Sequence, residues 1–190
     1  MDAQDYIKAV LQIYKSFSLT LPLHTGADDP LLDQVQDKFG HADLLAPLIE
    51  LWRTANGSDD YAPVFVNPGF LTGYDLFSID DALSAYDGMR VRAPQYEGYD
   101  DPEPRDPRLA PGWWQPGWLP FAGFGGATLL LLVDLSPGAK GQKGQVIAYT
   151  HDPDQMTFVA GSLPEFFKAS AVDFEQEGEE ILEGLIEELE

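Results

Sequence analysis

An α+β fold built on a single antiparallel sheet is what this sequence predicts, from three observations. Leu129 to Val133 is an unbroken apolar run, preceded by the reversal chemistry of Gly123, Phe124, Gly125 and Gly126 and ended by Asp134; this marks a buried strand entered through a tight turn. The strand-like segments on either side, Trp118 to Phe121 and Gln145 to Tyr149, are joined to it by connections too short for a parallel crossover, so the three pair as antiparallel neighbours. Before and after this meander lie segments whose apolar residues recur at helical spacing, and such helices bury one stripe against a sheet. The expectation is about five to six strands, with a central meander over 117–160, flanked by helices.

Successive strand residues point to opposite faces, so Leu129, Leu131 and Val133 face one way and Leu130 and Leu132 the other. Both faces then need cover, with helices on at least one side.

In chain order, Tyr6, Ile7, Val10, Ile13, Tyr14 and Phe17 form one helical stripe over Asp2 to Phe17. Leu31, Leu32, Val35 and Phe39 predict a short second helix, capped by Asp29 and stopped near Gly40. A third opens at Asp43, carries Leu44, Leu45, Leu48, Leu51 and Trp52, tolerates Pro47 in its first turn, and leaves through a left-handed Asn56-Gly57. Val64 to Val66 and Tyr74 to Phe77 are short strands. Ser78 with Asp81 reads as a capping box for a fourth helix ending before Gly88. After the meander, His151-Asp152-Pro153-Asp154 is a turn and Met156 to Ala160 a last strand, and Ser162 with Glu165 caps a further helix carrying Phe166 and Phe167.

Two stretches stand apart. Arg90 to Gly112 holds five prolines, five acidic residues and four arginines with no periodicity, which reads as a long insert that is either a working surface or mobile. Asp173 to Glu190 carries nine acidic residues and no basic one, with Ile181, Leu182, Leu185, Ile186 and Leu189 on one helical face; it is a tail or a docked helix, weakened at Gly178 and Gly184. The expected division is one domain over 1–172 with the insert at 90–112, then the tail at 173–190.

The chain has 190 residues with 32 acidic and 11 basic, a formal charge of −21, and 44% hydrophobic residues. That is enough apolar content for a packed core, while the charge repels nucleic-acid phosphates and anionic lipid and attracts basic partners. Cysteine is absent, which removes disulfides, thiolate catalysis and sulfur-ligated zinc. With no signal-peptide pattern or apolar span, a soluble cytoplasmic protein is expected, as a monomer or weak homodimer.

Catalytic motifs fail on inspection. His24, His41 and His151 are too scattered for a metal pair. Gly123 to Gly126 lacks the third glycine and following helix of a dinucleotide loop, and Gly138, Gly141 and Gly144 lack the Lys-Ser or Lys-Thr of a phosphate loop. His151 beside Asp152 and Asp154 sketches a general base, but a turn explains the same residues. Trp118 reads as core. Trp113 and Trp114 are adjacent, so an extended chain turns them to opposite sides and leaves one for the surface, where an aromatic beside a charged loop is a protein-binding anchor.

The order of motifs resembles the SMI1/KNR4 family of the SUKH superfamily. The resemblance rests on Pro47 with Leu48 to Trp52 and Asn56-Gly57, Leu76 to Ala82 around the Ser78 cap, Trp118 to Ala122, the glycine turn, Leu131 to Asp134, Gly144-Gln145-Val146, and Ala160 to Phe167. It covers roughly 30–168, leaving the insert and tail as departures. It implies an α+β fold and a non-catalytic binding role without a cofactor, since many bacterial members are immunity proteins that neutralise a toxin and fungal members act in cell-wall and signalling assemblies. The first expectation is a protein that binds and occludes a basic toxin domain, a nuclease among the candidates, through Tyr96, Glu97, Tyr99, Asp100, Asp101, Glu103, Trp113 and Trp114. The second is an intracellular scaffold or regulatory module; an enzyme acting through His151 ranks third.

Overall fold

The computed structural model describes residues 1–99 and 104–187. Six strands, β1 (Phe65–Asn67), β2 (Phe70–Leu76), β3 (Trp118–Phe124), β4 (Leu129–Asp134), β5 (Gln145–Thr150) and β6 (Gln155–Ala160), form one sheet in sequential order, every pair antiparallel. The helices are α1 (Ala3–Ser16), α2 (Asp29–Phe39), α3 (Ala42–Thr54), α4 (Ile79–Arg92), α5 (Leu163–Ile181) and α6 (Glu183–Glu187).

The alternation along β4 divides the core as its pattern requires. Leu131 and Val133 join Leu119, Phe121, Val146 and Ala148 under the helices, while Leu130 and Leu132 join Trp118, Ile147, Tyr149 and Met156 on the other face. A bulge in β3 between Pro120 and Ala122 puts the consecutive Phe121 and Ala122 into the same cluster, as an extra residue in one strand permits.

On the helical face, α1 and α5 clamp β1. The buried Tyr6 hydroxyl donates to the Val64 carbonyl (2.8 Å) and lies 2.7 Å from Ser170 Oγ, which accepts the Val66 N–H (2.8 Å). Each polar group there has a partner, so burial carries no orphan penalty. The region read as an acidic tail is continuous with α5: Phe174 and Leu182 are fully buried, and Tyr14 meets the Phe174 ring edge-on. Gly178 sits where α5 crosses α1, and a Cβ there would lie 3.2 Å from Ile13 and Phe17. The glycine that weakens the helix in isolation is what lets it approach its neighbour.

Several boundaries differ from expectation. Asp28, not Asp29, caps α2, accepting the Leu31 N–H. Helix α3 begins at Ala42, before Asp43, behind a left-handed His41 without a side-chain cap; Pro47 is its sixth residue, past the first turn. Asn56 serves the next helix rather than ending this one, its Oδ1 accepting the Ile79 N–H (2.9 Å) beside the Ser78 cap on Asp81. Two caps at one N-terminus satisfy two otherwise unpartnered donors. Helix α4 then runs through Gly88 to Arg92, since one glycine costs about 1 kcal/mol, too little to end a helix.

Candidate functional site

The insert, rather than a helix layer, covers the second face of the sheet. After α4 the chain makes a short 3-10 turn (Ala93–Tyr96), and the segment over 104–117 folds back across β4, β5 and β6. Trp113 is 3% exposed and forms a cluster with Met89, Leu109, Leu130, Leu132, Ile147 and Tyr149. Tyr96 stacks on it with ring centroids 4.0 Å apart, and Tyr149 meets it edge-on at 5.7 Å. Trp114 is half-buried and tilted against Tyr86, whose hydroxyl donates to the Pro116 carbonyl (3.0 Å).

Polar contacts pin both ends of this cover. The Tyr99 hydroxyl donates to the Asp154 carbonyl in the β5–β6 turn. Arg105 donates to the carbonyls of Ala110 and Gly112, and Gln145 donates from Nε2 to the Arg108 carbonyl (2.9 Å) and to the buried Asp134 (2.8 Å). The Arg108 guanidinium pairs with Asp106 and lies 3.4 Å from the Phe158 ring centroid. Burial pushes the Asp134 carboxyl up, opposed by hydrogen bonds from Gln145 and the Ser136 N–H.

Of the residues expected to contact a partner, Trp113 is packed into this second core, Tyr96, Tyr99 and Trp114 are partly buried in it, and Glu97 is exposed. Asp100, Asp101 and Glu103 lie outside the described residues. No surface-directed tryptophan results from the adjacency of Trp113 and Trp114, because residues 112–117 turn rather than run extended.

The turn at 151–154 has more structure than backbone reversal alone. His151 Nδ1 lies 3.0 Å from Asp154 Oδ1, which also accepts the Tyr149 hydroxyl. Desolvation raises the Asp154 carboxyl, but the hydrogen bonds from His151 and Tyr149 outweigh it and hold the group below its ordinary range. Burial, with Asp154 adjacent, drives the Tyr149 phenol up. This is an oriented imidazole whose carboxylate is shared with the Tyr149 hydroxyl, while the backbone carbonyl of the same aspartate pins the sheet cover. Among the described residues no three His, Asp or Glu side chains converge to hold a metal ion, and no helix is long and apolar enough to cross a membrane.

A second region, missed in the sequence, is a cleft of about 500 Å³ between α4 and the β3–β4 turn. Its carboxylates come from three separate segments: Asp60 after α3, Asp75 in β2, and Asp81 in the first turn of α4; Arg92 is the cation among its lining residues. Asp75 Oδ2 accepts the Tyr61 N–H (2.9 Å), whereas Oδ1 is buried without a well-formed hydrogen bond. Desolvation pushes the Asp75 carboxyl up to about 6, helped by Asp60 and opposed by the Tyr61 and Ala62 amides. Its mark in the sequence is an acid set between the apolar Tyr74 and Leu76. That Asp60, Asp75 and Asp81 line one cleft has no such mark.

Comparison with known proteins bears on both regions. Residues 26–169 match the model of the SMI1 / KNR4 family (SUKH-1), a span that takes in both the cleft and the insert. A stretch of 61 residues is 43% identical to the cell wall biosynthesis/cell cycle regulator smi1 of Schizosaccharomyces pombe, covering 32% of this chain and 12% of that protein.

Proposed function

The chain belongs to the SMI1/KNR4 family, and from that premise we propose that it is a non-catalytic binding protein whose partner is a basic protein domain, in the first instance a toxin that it occludes. The observation that carries this reading is the charge. Thirty-two acidic groups face 11 basic ones, and Lys8, Lys38, Arg53, Arg90 and Arg108 are already engaged with Asp5, Asp87, Asp29, Asp87 and Asp106. The remaining negative surface repels itself, and a basic partner relieves that repulsion and associates at a rate that falls with salt.

The test is a pull-down from the native lysate at low and high salt, with Glu97→Lys as a charge variant in place of an insert deletion that would uncover the sheet. The expected result is one dominant basic protein, lost at high salt, which arrests growth when expressed alone and is harmless when expressed with this chain. A dominant partner of acidic or neutral character overturns the reading. Several partners without toxicity favour the second reading, a regulatory interaction module, which the similarity to the fission-yeast regulator supports. Unaltered binding and protection by His151→Ala is expected of either.

A further inference from the structure

We infer that the cleft between α4 and the β3–β4 turn seats one arginine side chain of the basic polypeptide partner. This deepens the binding reading above and rests on it. The pocket falls in the range of built ligand sites, roughly 300–1,000 Å³, with a volume of about 500 Å³. Its charge is one-sided: Asp60, Asp75 and Asp81 line it against a single Arg92. That arginine is engaged elsewhere, its guanidinium 5.4 Å from the Trp113 ring centroid and its Nε donating to the Gly88 carbonyl.

Chemistry selects a guanidinium over a compact cation. Asp75 Oδ1 has no well-formed hydrogen bond, and an arginine offers several donors in a planar fork matched to carboxylates. Phe124, 39% exposed, lines the cleft, and its ring meets that of Tyr61, 65% exposed, edge-to-face at 6.0 Å. Exposed aromatic faces attract a guanidinium and its apolar stem. The wall supplied by α4 is low: Ser84, Ala85 and Gly88 line it, and a Cβ added at Gly88 would meet nothing. A mid-helix glycine with free space around it has no packing reason to be small, and here it leaves the cleft open.

The experiment titrates the ¹⁵N-labelled full chain with acetyl-Gly-Gly-Arg-Gly-Gly-amide and with the same peptide carrying citrulline, which keeps the shape and removes the charge. The arginine peptide is expected to shift the amides of Tyr61, Gly88 and Gly123 to Gly126 in a saturable way, and the citrulline peptide to leave them in place. Asp75→Asn, which keeps the acceptor for Tyr61, should weaken binding by about tenfold. Gly88→Leu, which raises helix propensity while filling the cleft, should abolish it. Shifts spread over the acidic surface, equal binding of citrulline, or retention in both variants overturn the inference, as does Ca²⁺ producing the same saturable shifts at the same amides. If a captured basic partner binds the Gly88→Leu protein undiminished, the cleft assignment fails and the binding reading stands; if the arginine peptide seats but no basic partner is captured, the reverse holds.

Discussion

The two faces of the sheet are covered by different kinds of chain. Beneath one face lie α1, α3 and α5, where Tyr6, Phe65, Phe121, Phe166 and Phe167 interlock with ring centroids 5.0–6.3 Å apart. Over the other lie 93–99 and 104–117, largely irregular and held by the large anchor Trp113 and by side chains that donate to backbone carbonyls. A helix satisfies its own backbone and needs only an apolar stripe to dock. An irregular cover must find partners for its backbone elsewhere, and Arg105, Gln145 and Tyr86 supply them. The lesson is that a proline-rich, charged insert can be a structural layer, and that its aromatics need not be anchors for another protein.

Four substitutions probe that difference, from the largest effect to the smallest. Phe65→Ala, at the centre of the helical face, should cost about 3–5 kcal/mol and remove the whole cooperative transition, read by urea denaturation. Trp113→Ala loses comparable contact area but at an edge able to relax, so about 3 kcal/mol is expected. Its signature should be local: rapid proteolysis within 93–117 while the helical circular dichroism persists. If both variants unfold the protein in one step, the two covers are a single cooperative unit. Tyr99→Phe, which deletes the hydroxyl bond to the β5–β6 turn, should cost about 1 kcal/mol and accelerate hydrogen exchange at 93–99 alone.

The smallest effect belongs to the cleft where the two covers meet, since Phe77 packs against both clusters. The Asp75 carboxyl, with an ordinary value of 3.8, stands near 6 in the folded chain, where Asp60, Asp81 and Arg92 share its cleft and Tyr14 lies within its field. A raised folded value contributes stability that is complete below the unfolded value and is lost as pH rises through about 6. Asp75→Asn should therefore flatten the stability profile between about pH 4 and 6 and gain no more than about 1 kcal/mol at pH 7, the partial exposure screening the rest. An unchanged profile would remove Asp75 as the source of that dependence.

Legibility followed periodicity and capping. The meander, the split of the β4 leucines between faces, the Ser78 and Ser162 caps and the stripe of α1 were all readable, because strand alternation and helical spacing are imposed by local geometry. The errors cluster at single residues whose role is set by a distant segment. Asn56 caps a helix 23 positions on, and Gly178 is explained by Ile13 and Phe17. Of the candidate contact residues, the positions of Tyr96, Tyr99 and Trp113 follow from the sheet beneath them, and the carboxylates of the cleft were not singled out at all.

The sequence by itself determined the class of fold, the strand order of the meander, the acidic character of the surface and the absence of thiol chemistry. These follow from spacing and composition, which the chain carries along its own length. Only the tertiary structure decided that the insert closes the second core, that the acidic stretch as far as Ile181 continues α5, and that Asp60, Asp75 and Asp81 line one cavity. Each of those depends on which residues far apart in the chain bury the same apolar area, and that competition is settled by packing in three dimensions rather than by local pattern.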